Sequence, residues 1–194
     1  MTREIALTGQ STYFETAQSW HVIKELKLAI KDGKLIVVAG IVGTSKTTLR
    51  KIQEVLEEDK EILVAKALSV DGGQISLGTL MLALFCDLTT AKDDPMPIQT
   101  EKRERALRTL ISKRKKPVVL LMDDAHQLHP KTLVGLKRLM EIVRDGKGMM
   151  PIVLAGHPKL KNGAVGRTID DTIAVRAVFD KGPRGSISHR TETR

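Results

Sequence analysis

The chain carries one cysteine in 194 residues, five aromatic side chains, and no apolar run approaching twenty residues. A single thiol, Cys86, excludes an internal disulfide and fits a reducing compartment. Its apolar surroundings in sequence read as those of a buried small hydrophobe, because no cationic cluster or helix start adjoins it. Aromatic residues make up 3% of the chain, too few for a platform on which successive bases stack. With no run long enough to span a bilayer and no apolar leader segment in residues 1–10, neither a membrane segment nor secretion is expected, and a cytoplasmic location is. No internal repeat is visible.

Hydrophobic residues at 41% and charged residues at 28% are ordinary for a globular protein, and the length suits one domain with a sizeable core. The charge balance is less ordinary. Thirty-two Lys+Arg against 23 Asp+Glu give +9 and a pI near 9.7. Such an excess points to a polyanion, nucleic acid before membrane, contacted mainly through phosphates with weak sequence preference. A merely soluble basic surface is the plainer alternative.

The stretch Lys34 to Leu49, KLIVVAGIVGTSKTTL, organises the rest. It reads as a short apolar strand (Leu35 to Ala39), a Gly-containing loop and the start of a helix. The loop approximates G-x-x-x-x-G-K-[ST], with Gly40 first, Lys46 and Thr47 last, and Ser45 where the second glycine is expected. Backbone N–H groups of such a loop converge on an anion, and the helix behind it adds its positive end. Gly40, Val42, Gly43, Thr44, Ser45, Lys46, Thr47 and Thr48 are therefore the candidate phosphate-binding set, with ATP as ligand. Lys46 is expected to reach the β- and γ-phosphates, and the Thr47 hydroxyl to complete an Mg²⁺ shell. Ser45 is the weak point, since a positive φ there would strain a non-glycine residue by about 1–2 kcal/mol.

A second motif lies some eighty residues on. VVLLMDD, Val118 to Asp124, is a continuous apolar run, as in a strand buried on both faces, ending in two carboxylates. Asp123 is expected to hold the Mg²⁺, directly or through water. Asp124 would polarise the attacking water, a role commonly filled by the longer Glu, so hydrolysis is expected to be slow. A third strand, Met150 to Ala155, ends at Gly156-His157-Pro158. Its neighbour is expected to be strand 118–122, which would bring His157 within reach of a γ-phosphate; a simple strand end is the alternative.

Residues 1–11 are polar and irregular. Thr12 to Glu15 has capping-box spacing for a helix running to about Asp32, with Ile23, Leu26 and Ile30 as its stripe and Gly33 as its stop. Tyr13, Phe14 and Trp20 read as core packing, with an adenine wall as the alternative. Further helices are expected over 47–58, 75–88, 100–113 and 131–144, and a strand within 61–70. Leu133, Leu136, Met140 and Val143 face inward on the fourth of these, while Glu141 is spaced to pair with Lys137 and Arg138. His126 and His129 have no Cys/His company and read as loop polars. The cations Lys113 to Lys116 precede strand 118–122 and so face away from the nucleotide; they read equally as a DNA contact or as a solvated helix end. Residues 159–176 read as helix or loop, Ala177 to Phe179 as an edge strand, and 181–194 as a disordered tail.

In the order GIVGTSKTT, LLMDD, AGHP, the chain resembles an AAA+ ATPase over residues 12–180. SVDGGQISLGTLMLALFCDL, EKRERALRTLISKRKKPVVLLMDDAHQLHPKTLVGLKRL and IVLAGHPKL resemble more narrowly the ATPases grouped with TnsC, TniB and ExeA. The resemblance implies an α/β P-loop core with a five-stranded parallel sheet flanked by helices on both faces. It also implies a ring or filament of like subunits, DNA binding, and regulation of a transposase. By motif, Lys46 and Thr47 take the first nucleotide-binding roles and Asp123 and Asp124 the second. His157 takes the sensor position, and Arg176, or Arg167, that of an arginine reaching a neighbouring subunit. Most of the helical lid that follows such cores is expected to be absent. Two other readings stand beside this one: an ATP-binding assembly module that does not hydrolyse, and an ExeA-like secretion-associated ATPase.

Overall fold

The computed structural model describes residues 17–40, 44–67, 76–90, 93, 95–125, 128–156 and 173–179, with only the backbone described for 17–22, 39–40, 44–49, 67, 100 and 173–179 (side chains begin at 23 in the first helix). Five parallel strands form one sheet: β1 (Leu35–Gly40), β2 (Leu63–Ala67), β3 (Val118–Met122), β4 (Ile152–Gly156) and β5 (Ile173–Phe179). Their spatial order is β2-β3-β4-β1-β5. Among the described residues α1 (Ala17–Lys31) precedes β1, and α2 (Thr44–Glu57), α3 (Leu77–Leu88), α4 (Thr100–Arg114) and α5 (Pro130–Asp145) lie between the strands.

The central strands are apolar throughout because both their faces are covered. The pleat sorts them into two cores. Leu35, Val37, Val118, Leu120, Met122, Ile152 and Leu154 pack with α3, α4 and α5. The alternate residues Ile36, Val38, Val119, Leu121, Val153 and Ala155 pack with Leu26 and Ile30 of α1 and Ile52 and Leu56 of α2. The sheet is thus the middle of three layers.

Local chemistry fixes the element ends. Gly33, at φ +67, closes α1 with a Schellman pair: its N–H donates to Ile30 O and that of Lys34 to Ala29 O, both at 3.0 Å. Ser76 caps α3 by accepting from Thr79 N–H at 3.2 Å. His129 does the same for α5, its Nδ1 accepting from Lys131 N–H at 3.1 Å, which is the structural use of this loop polar. The free edge of β2 is partly satisfied from the side, since Lys66 N–H donates to Asp87 Oδ2 at 2.8 Å.

Several expectations are corrected. Cys86 is exposed, not buried: it lies on the opposite face of α3 from Leu80, Leu84 and Leu88, in a helix more apolar than its buried face requires. Helix α2 starts at Thr44, three residues early. Residues 173–176, read as helix or loop, belong to β5, because the apolar run IAVRAVF finds β1 as a pairing partner. No ion pair links Glu141 to Lys137 or Arg138 among the described residues. The expected irregular N-terminus and tail, and the side chains of Tyr13, Phe14 and Trp20, lie outside what is described.

Candidate nucleotide site

The C-terminal edge of the sheet carries the site. Register places Ala67, Met122, Leu154, Val37 and Arg176 on one rung across all five strands. Asp123 is one step beyond that rung at the end of β3. β1 continues three residues past it to Gly40, and after positions 41–43 the chain turns into α2 at Thr44. Only β4 separates β1 from β3, a lateral distance of about 10 Å at two strand spacings. The strand order therefore brings the two motifs to neighbouring positions on one edge, where ligands of open α/β sheets bind.

The pleat adds the side. Residues 119 and 121 of β3 pack with Ile52 and Leu56 of α2, and continuing that alternation puts position 123 on the α2 face. The first turn of α2 holds Thr44, Ser45, Lys46 and Thr47. The N–H groups of such a first turn have no partner within the helix, and with the positive dipole end they lie at the same edge and face as position 123. Ser45 is the second helical residue, so its backbone is helical and the strain expected of a serine at positive φ does not arise.

Asp123 is half-buried, and its Oδ1 accepts the N–H of Asp124 at 2.8 Å. That bond orients the carboxylate and leaves it further acceptor capacity. Asp124 is also half-buried, at φ +49. The left-handed region is costly for most residues but tolerated by Asp, whose short polar side chain bonds locally. This conformation turns the chain sharply off β3 into Ala125 and Leu128, which re-enter the core.

Asp123 is a hard oxygen donor of the kind that an Mg²⁺ ion arriving with a nucleotide would take. Among the described residues no group of three or more His, Cys, Asp and Glu could cage a metal. The Thr47 hydroxyl, expected from the sequence to act with Asp123, belongs to a side chain outside what is described. Backbone position is all that is described for Gly40 and residues 44–48, and Val42, Gly43, His157 and Arg167 lie outside the described residues. Arg176 is in mid-strand, opposite Val37 and three residues short of the strand end, not in the helix or loop segment expected for it.

The AAA domain family model matches residues 29–162, more than half of the chain, and the chain belongs to that family of nucleotide-binding domains. No curated protein matches it. Among solved structures it is similar to Cdc6p from Pyrobaculum aerophilum, at 15% identity and TM-score 0.57, covering 86% of this chain and 45% of that one. It is also similar to the Aeropyrum pernix ORC1 protein in complex with DNA, at 14% identity and TM-score 0.51, covering 85% and 46%. Drosophila ORC bound to AT-rich DNA and Cdc6 matches at 11% identity and TM-score 0.56, covering 84% and 53%. At such identities the shared property is the fold, and this chain spans about half the length of those it matches.

Proposed function

We propose that this chain is an ATP-driven switch that assembles with copies of itself on duplex DNA and regulates a transposase. The observation that carries the nucleotide part is the convergence of the α2 N-terminus and Asp123 on one edge and one face of the sheet. In this reading Lys46 neutralises charge on the β- and γ-phosphates, while Thr47 and Asp123 hold Mg²⁺, which offsets negative charge on the phosphates. Asp124 orients the attacking water, His157 contacts the γ-phosphate, and an arginine from a neighbouring subunit completes the site. Arg176, or Arg167, is the candidate for that last role, and the backbone of Arg176 lies within β5.

DNA enters from two sides: the +9 charge and the fold shared with DNA-bound structures. The transposase rests on the resemblance to the TnsC and TniB group. Phosphate release from Mg·ATP, with and without duplex DNA, tests the reading against a Lys46→Ala control. Release above that control, stimulated by duplex, is expected; release equal to it removes the enzyme. The left-handed backbone and short arm of Asp124 favour one alternative, a module that binds ATP without turning it over. That module would retain nucleotide binding and duplex-dependent assembly while phosphate release stayed at the control level.

A further inference from the structure

The chain's positive charge is not spread evenly along its sequence. Residues 100–117 and 130–149 contain thirteen Lys+Arg and only four Asp+Glu, and the rest of the chain is balanced at nineteen of each. The whole surplus of +9 thus belongs to α4, α5 and the turns that leave them. Both helices lead into the N-terminal end of a strand, β3 and β4 respectively, so they run parallel to one another. They pack side by side on the sheet face opposite α1 and α2. The close approach of the Arg108 stem to Gly146 and of Ile111 to Gly148 brings their ends together.

Helix ends attract cations, and that effect accounts for part of the surplus. Two of the end cations are occupied within the fold: Arg114 donates to Leu88 O and to Asp93 Oδ2, and Lys116 Nζ donates to Lys60 O. The helix-end effect does not account for Lys102, Arg105 or Arg138. These lie in the first turns or the middle of their helices, are exposed, and have no ion pair among the described residues. With Lys113, Arg144 and Lys147 they are exposed cations of two parallel helices and the turn behind the second; on α5, Arg138 and Arg144 flank the exposed Glu141 and Asp145, and Glu101 is the exposed acid of α4. Fifteen residues of α4 extend about 22 Å, long enough to meet several phosphates of one duplex face.

We propose that the outward face of α4 and α5 is the surface by which this chain grips the phosphates of double-stranded DNA; the inference rests on the DNA reading above and assigns it a place. The face favours a duplex over single strands because neither helix contains an aromatic residue to stack a base. It favours DNA over a bilayer because Val134 is the only large apolar side chain strongly exposed on either helix. The surface lies across the sheet from α2, so one subunit can hold nucleotide and duplex together.

The test uses the full chain with Mg·ATP and a labelled 30-base-pair duplex of arbitrary sequence, measuring anisotropy against salt. Contact with about four phosphates gives a log–log slope near −3.6, a loss of about a hundredfold in affinity between 50 and 200 mM salt. The variant Arg105→Gln, Lys113→Gln, Arg138→Gln, Arg144→Gln should bind at least tenfold more weakly at 50 mM salt, with a slope about half as steep. The matched variant Lys24→Gln, Lys31→Gln, Arg50→Gln, Lys60→Gln removes the same charge elsewhere and should stay within about threefold of wild type. ATP binding, read with a fluorescent nucleotide, should be unchanged in both, which shows that they fold. Equal weakening in the two variants, or none in the first, overturns the assignment while leaving DNA binding intact. A wild-type chain that ignores duplex at 50 mM salt removes the DNA reading itself. Tighter binding to single strands or to anionic vesicles than to duplex overturns the choice of ligand.

Discussion

Replacing Asp123 separates its structural bond from its proposed work. Its Oδ1 accepts Asp124 N–H at 2.8 Å, a bond that an asparagine amide oxygen can also accept. Asp123→Asn should therefore melt within about 2 °C of wild type without nucleotide, while Asp123→Ala leaves a half-buried N–H without its acceptor. A hydrogen bond to a charged group contributes about 1.5–3 kcal/mol, and half-burial places this one at the low end. At about 2–4 °C per kcal/mol for a domain of this size, Ala should melt about 3–6 °C lower. Ligand adds a second reading. At a hundredfold excess over Kd, Mg·ATP stabilises the native state by about 2.7 kcal/mol, or roughly 5–10 °C. Wild type should show that shift with Mg²⁺ and a smaller one with EDTA; Asp123→Asn should show the smaller shift in both. Differential scanning fluorimetry over a magnesium titration measures all of these. An asparagine variant that keeps the full magnesium-dependent shift refutes the assignment of Asp123 to the ion, and one that melts several degrees low without ligand refutes the account of its bond.

Three further outcomes follow from the fold. Gly33→Ala forces φ +67 on an alanine and brings its Cβ to 3.1 Å from Met149 Cγ, so it should lose about 1–2 kcal/mol in urea unfolding, with nucleotide affinity unchanged at the far edge of the sheet. Leu120→Ala empties a wholly buried position in β3 and should cost about 2–5 kcal/mol; a smaller shift in urea midpoint would mean the core collapses onto the gap. The Asp93 carboxyl is held down to about 2, chiefly by the N–H and hydroxyl of Thr90 and then by Arg114. Because its folded pKa lies below the unfolded value, its contribution is complete above about pH 4 and is lost as pH falls toward 2. Asp93→Asn should therefore be less stable than wild type at pH 5–7, with the difference closing on acidification in a series of urea midpoints.

Much of this protein is legible in one dimension because its signals are local. Strand 118–122 is bounded to the residue by its apolar run, Gly33 marks the end of α1 because left-handed backbone favours glycine, and the phosphate-loop pattern spans the passage from β1 to α2. Other features were invisible for equally physical reasons. Cys86 sits among apolar neighbours in sequence, but α3 contacts the core along one face only and turns the thiol outward. Residues 173–176 look like helix or loop until β1 supplies a parallel partner, since a strand's hydrogen bonds are made with residues distant in the chain. Ser45 looked strained against a pattern and is relaxed in a helix that starts three residues early.

The sequence by itself determined which residues have the chemistry: a lysine and threonine behind a glycine turn, two carboxylates behind an apolar strand, and a surplus of nine positive charges. Only the tertiary structure decided which elements stand beside one another. Inserting β4 between β1 and β3 brings Asp123 and the start of α2 to one edge, and the pleat puts them on one face. Packing α4 against α5 sets two basic helices side by side on the other. Neither follows from spacing along the chain, because strand order and helix layer are set by burying both faces of the sheet at once.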